Sequence, residues 1–98
     1  MIQVHWSENA KDDLRMIFDR VKRKTSSEKL AKNVVNEIYS AGISIKFSTQ
    51  YQIDEILNKP YRRIIVSHYK IIYKAVTKKH IRILEVFDTY QNPIRLRK

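Results

Sequence analysis

The sequence predicts an α+β fold: an N-terminal strand, an antiparallel helical hairpin, and a small, mainly antiparallel sheet on which the hairpin packs, in the order β-α-α-β-β-β. Three observations predict it. Residues 8–40 place apolar side chains at helical spacing, interrupted by the capping run Thr25-Ser26-Ser27-Glu28. Residues 61–87 read YRRIIVSHYKIIYKAVTKKHIRILEVF, in which β-branched and apolar residues alternate with cations. Ahead of both, Ile2, Val4 and Trp6 alternate with Gln3 and His5. The chain of 98 residues predicts one domain over 1–98.

Each element follows from its residues. Ser7 is a helix N-cap after the first strand, with Glu8 in the first turn, where the helix dipole favours an acid. Ala10, Leu14, Ile17, Phe18 and Val21 then define one face of a helix over residues 8–23, and Lys11, Asp12, Arg15, Asp19, Lys22 and Arg23 define its solvated face. Thr25 and Glu28 have capping-box spacing, with threonine as N-cap. A second helix runs from there to Ser40 on an apolar face of Ala31, Val34, Val35, Ile38 and Tyr39. Gly42, the one glycine, stands where a left-handed residue would end it. The short link predicts an antiparallel hairpin whose two stripes pack on the same sheet face. Residues 43–60 show no period and read as a loop with a short helical turn, closed by Pro60.

Three strands follow, over 62–67, 69–76 and 81–87, with gaps short enough for hairpins. Strand parity puts Tyr69, Ile71, Tyr73 and Ala75 on one face and Lys70, Ile72, Lys74 and Val76 on the other. In the last strand Arg82, Leu84 and Val86 oppose Ile81, Ile83, Glu85 and Phe87. Tyr69, Ile71 and Tyr73 are expected to face the helices. Lys70 and Lys74, with Arg62 or Arg63 and Arg82, are expected to form an exposed concave side.

Composition narrows the function. At 43% hydrophobic the chain can build a core. No run approaches the ~18 apolar residues of a membrane span, and MIQVHWSENA lacks the features of a signal peptide. With no cysteine there is no disulfide framework, zinc–thiolate site or cysteine nucleophile, which fits a reducing cytoplasm. The net charge is +10. Residues 1–45 hold 8 Lys/Arg against 6 Asp/Glu, whereas residues 46–98 hold 12 against 4. The excess therefore sits on the sheet half, where it favours a polyanionic partner.

Most enzyme signatures are missing. One glycine cannot make a phosphate-cradling loop. His5, His68 and His80 have no metal-ligand spacing with acids, so no metal and no small-molecule cofactor is expected. Ser7 and Ser67 lack a nucleophile's context. What remains is Arg62, Arg63, Lys70, Lys74 and Arg82 interleaved with Tyr51, Tyr61, Tyr69, Tyr73 and Tyr90. Cations with aromatics can hold phosphates and stack unpaired bases. RNA cleavage needs no metal when a base and an acid flank the 2′-hydroxyl.

The segments VHWSENAKDDLRMIFD, RRIIVSHYKIIYKAV and ILEVFDTYQNPIRL, in that order and spacing, resemble the RelE/ParE superfamily of bacterial type II toxin–antitoxin toxins over nearly the whole chain. The resemblance implies a RelE/ParE-like fold and a growth-inhibiting toxin neutralised by a cognate antitoxin in the cytoplasm. It leaves two targets open: mRNA on the ribosome, cut by RelE-like members, or DNA gyrase, poisoned by ParE-like members without nuclease residues. For the nuclease, Lys70 takes the place of the central-strand arginine, and Tyr90 or His68 would move the proton. Lys46, Arg62, Arg63, Lys74, Arg82 and the tail's Arg95 would bind nucleic acid. Lysine loses the planar fork that grips phosphate. Thr89 falls where some nucleases hold histidine or arginine, and threonine is no general acid near neutral pH. From a different class, the charge alone would also suit a non-toxic basic module that binds nucleic acid.

Overall fold

The structure, a computed structural model, describes residues 1–91. Its elements are β1 (Gln3–Trp6), α1 (Glu8–Thr25), α2 (Glu28–Ile43), β2 (Arg62–Val66), β3 (Tyr69–Thr77) and β4 (His80–Asp88). This is the predicted order. The strands form one sheet in the order β1-β4-β3-β2. β2 and β3, and β3 and β4, pair antiparallel, while β1 pairs parallel to β4, Trp6 beside Ile83. The helical hairpin lies on one face of the sheet. Between them sit Trp6, Ala10, Ile17, Ile38, Ile64, Tyr69, Ile71, Tyr73, Ile81, Ile83 and Val86.

Local chemistry sets the joints. Ser7 caps α1 as expected: its Oγ accepts from the Ala10 N–H at 3.0 Å and donates to the Leu84 carbonyl at 2.7 Å. β1 covers β4 only as far as Ile83, so the backbone beyond it needs other partners. Ser7 meets the Leu84 carbonyl, and the Asp13 carboxylate accepts the Val86 N–H at 2.9 Å. Two polar residues of the α1 segment thus replace the missing strand and tie α1 to β4.

The hairpin link differs from its expected form. Thr25 does not cap α2. It is the last residue of α1, and its hydroxyl donates back to the Val21 carbonyl at 2.7 Å. Ser26 takes the left-handed turn at φ 56°, and Ser27 is the N-cap, accepting the Leu30 N–H at 3.1 Å. Ending α1 two residues later moves the cap by the same amount.

Gly42 also serves a different purpose. α2 runs on through Ile43, and no glycine has positive φ. Gly42 is buried where a Cβ would lie 2.5 Å from Trp6 Cζ2 and 2.8 Å from Ile83 Cδ1. The residue lets the helix backbone sit directly on the sheet. Gly42→Ala is expected to cost about 1–3 kcal/mol through overpacking, despite the gain in helix propensity. A urea titration should show a lower midpoint with an unchanged slope.

The sheet is irregular at two points. Ile72 pairs with Glu85 and Tyr73 with Ile83, so Leu84 bulges out of register. Simple alternation grouped Val86 with Arg82 and Leu84. The bulge instead puts Val86 in the core with Ile81 and Ile83. A second shift skips Val76.

Residues 44–61 are ordered by hydrogen bonds. Ile53 bridges Arg62, the Arg63 N–H donates to the Gln52 carbonyl at 3.0 Å, and the Asp54 N–H donates to Tyr61 at 2.9 Å. The segment therefore runs along part of the outer edge of β2. Its Ile45 is buried in the core, and its Ser48 carbonyl accepts the Tyr73 hydroxyl at 3.2 Å. Tyr69 and Tyr73 are core aromatics, as their parity suggested. Burial pushes both phenols above their ordinary pKa.

Candidate functional site

Lys70 lies on the sheet face opposite the helices, as parity requires, but that face is not open there. Lys70 is only 5% exposed. Its Nζ donates to Asp54 Oδ2 at 2.9 Å and lies 3.5 Å from Glu55 Oε1. Asp54 is itself fully buried, and its other oxygen accepts the Ile56 and Leu57 N–H groups at 3.0 and 2.8 Å. Burial pushes the Asp54 carboxyl up. The hydrogen bonds from Lys70, Leu57 and Ile56, with the Lys70 charge, outweigh it and hold the pKa below the ordinary value. Lys70 as an exposed phosphate ligand is therefore corrected: two acids from the 44–61 segment already occupy its ammonium.

Arg62 and Arg63 are also committed. Arg62 Nη1 donates to the Tyr51 carbonyl at 2.8 Å. Arg63 bonds Glu55 at 2.7 Å and Gln52 at 3.1 Å. Glu55 is held below the usual carboxylate range by its own backbone N–H and by Arg63. Asp54 and Glu55 were not singled out by sequence. A usable signal was present: they are two of only four acids in the basic half.

His68 and Tyr90 do come together. Their rings stack in parallel, 4.3 Å between centroids and 5° apart, and His68 also lies 4.1 Å from the Tyr69 ring. Asp88 organises this end. It pairs with Arg20 at 3.0 Å, accepts the Tyr90 N–H at 3.0 Å, and stands 3.6 Å from His68 Nε2. The Thr89 hydroxyl and N–H both donate to the His68 carbonyl, at 2.7 and 3.0 Å. Thr89 thus fastens the end of β4 to the β2–β3 turn. Arg20, Asp88 and Thr89 make this a built corner, and sequence spacing did not join them.

The remaining cations lie elsewhere on the same face. Lys74 stands directly opposite Arg82, and His5 is the neighbour of Arg82 on β1. Arg82 and His5 are exposed and Lys74 is half-buried; Lys78 and Lys79 extend from the turn beyond them. Lys46 is exposed on the 44–61 segment, and none of the ion pairs among the described residues involves it. Arg95 lies outside the described residues. No group of three or more metal-ligating side chains occurs among the described residues. No helix among them is long and apolar enough to cross a membrane.

The fold has a solved counterpart. It superimposes on a chain of the chromosomal ParDE TA system from P. aeruginosa with a TM-score of 0.73 at 18% identity, covering 90% of this chain and 96% of that one. At that identity the likeness concerns the fold. No functionally curated protein matches the sequence. A family profile described as the ParE toxin of the type II toxin–antitoxin system, parDE, matches residues 4–93. That match takes in every helix and all but the first residue of the first strand, so the chain belongs to the ParE toxin family of type II toxin–antitoxin systems.

Proposed function

We propose that this toxin arrests growth by acting on DNA gyrase and does not cleave RNA. Family membership supplies the class: a toxin with an antitoxin as its partner. The target is a further step, and one observation carries it. Lys70, which takes the place of the nuclease's central-strand arginine, has its ammonium engaged by Asp54 and Glu55 in a buried pair. To grip a scissile phosphate it would have to leave a carboxylate stranded in the interior, at a cost of several kcal/mol. The corner where a general acid would stand supports the same reading. The Thr89 hydroxyl is spent on the His68 carbonyl. Tyr90 and His68 stack flat on each other and are not arranged around a common open point.

Purified toxin, free of antitoxin, is expected to inhibit gyrase supercoiling and to leave mRNA intact in a translation extract analysed by primer extension. New 5′ ends within codons, with supercoiling unaffected, would overturn the reading. Tyr90→Phe keeps the ring and removes the phenol, and His68→Gln, combined with it, replaces the titratable imidazole with a neutral amide that still hydrogen-bonds. This variant should arrest growth as the parent does; a nuclease would lose most of its toxicity.

A further inference from the structure

We propose that the row Lys74–Arg82–His5, continued by the Lys78–Lys79 turn, binds the phosphodiester backbone of duplex DNA. Lys74 and Arg82 are directly opposed across β3 and β4 on the face away from the helices. Like charges in that relation destabilise a sheet. None of the ion pairs among the described residues involves Lys74, Lys78, Lys79 or Arg82. The contrast with the rest of the face is sharp, since Arg63 and Lys70 both have carboxylate partners. The next acid along β4, Glu85, is only 2% exposed and so offers little to a ligand. His5 adds a ring N–H donor next to Arg82 on the third strand.

The layout suits a backbone more than a small anion. Adjacent strands are about 4.8 Å apart, so three side chains across three strands span roughly 10 Å. The two turn lysines extend the line past the end of the strands. Exposed side chains along this stretch include the cations and His5, with Gln3, Val76 and Thr77 beside them, and no exposed Tyr, Phe or Trp among them. Single strands are held by stacking bases on aromatic rings. A duplex presents only phosphates to such a surface, and contacts of this kind carry no sequence information. Duplex DNA is therefore the occupant. A gyrase-directed toxin meets such a duplex on its target, but binding to the bare duplex stands apart from the target assigned above.

The test is fluorescence anisotropy with a short labelled duplex of random sequence, over a range of salt concentrations. Lys74→Gln with Arg82→Gln is expected to weaken binding on the order of tenfold and to reduce the magnitude of the salt slope by about 2. The pair Lys22→Gln with Lys32→Gln, exposed on the helices, should leave both quantities near the parent values. Because the first pair removes a repulsion, its denaturation midpoint should match or exceed the parent's, which separates lost binding from lost folding. Equal losses in both pairs, or unchanged binding in the Lys74 and Arg82 pair, would overturn the proposal. So would tighter binding of single-stranded DNA or of polyglutamate than of the duplex. If gyrase is untouched while the duplex behaves as expected, the proposed target falls and this site stands.

Discussion

Asp54→Ala is expected to lower the free energy of unfolding by about 3–5 kcal/mol, a large share of what a domain this size possesses. The substitution leaves the Lys70 ammonium buried without its closest partner, since Glu55 is further away and exposed. It also strips the acceptor from the Ile56 and Leu57 N–H groups. Urea titration of the variant should show a midpoint far below that of the parent. Removing both charges, as in Asp54→Leu with Lys70→Met, should recover much of the loss, because the cost of burying the pair disappears with it. A single-variant loss under about 1 kcal/mol would show that water reaches Lys70. Acid should reveal the same pair. The Asp54 pKa is lower folded than its ordinary 3.8, so its contribution is complete above that value and fades as pH falls through the depressed folded one. The parent's extra stability over the double variant should therefore shrink on acidification below about pH 4 and not before.

Ile83→Ala is expected to cost about 2–5 kcal/mol. Ile83 is fully buried, paired with Trp6 on β1 and with Tyr73 on β3, and its Cδ1 sits under Gly42. Those neighbours belong to three different elements, two of them strands fixed by backbone pairing, so the space left behind cannot close easily. Thermal unfolding should show a drop of several degrees for each kcal/mol. Val76→Ala is the contrast. Val76 is skipped by the β3–β4 register and is 53% exposed, so its truncation should change stability by no more than about 0.5 kcal/mol. If the two substitutions cost the same, the core is not centred on Ile83.

The fold was legible where one element's own period sufficed. Ile17 and Ile38 lie in the core because the helical stripes contain them, and Ile71 and Tyr73 because strand parity does. Legibility failed where a residue's role depends on a distant partner. Three successive hydroxyl residues, Thr25, Ser26 and Ser27, each satisfy the chemistry of a cap, and only the end of α1 selects Ser27. Gly42 signals a special position, but its reason lies in Trp6 and Ile83. Alternation in β4 breaks at Leu84, and no residue type announces that bulge.

The candidate site follows the same rule. Lys74 and Arg82 appear together on the outer face because strand parity and hairpin register are local properties. Lys70 obeys the same parity, yet its burial is decided by an aperiodic segment whose Asp54 bonds its own backbone. His68 and Tyr90 meet because Tyr69 pairs with Asp88, a register fixed by the whole β3–β4 ladder.

The parallel pairing of β1 with β4 bears on how the toxin comes into being. β1 has no strand neighbour other than β4, and α1 is fastened to the sheet at Leu84 and Val86. During synthesis, β1 therefore waits for β4, the last strand, before it has a strand to pair with. A message broken or a ribosome stalled before the final strand leaves a chain in which β2 and β3 can pair but β1 stays outside the sheet.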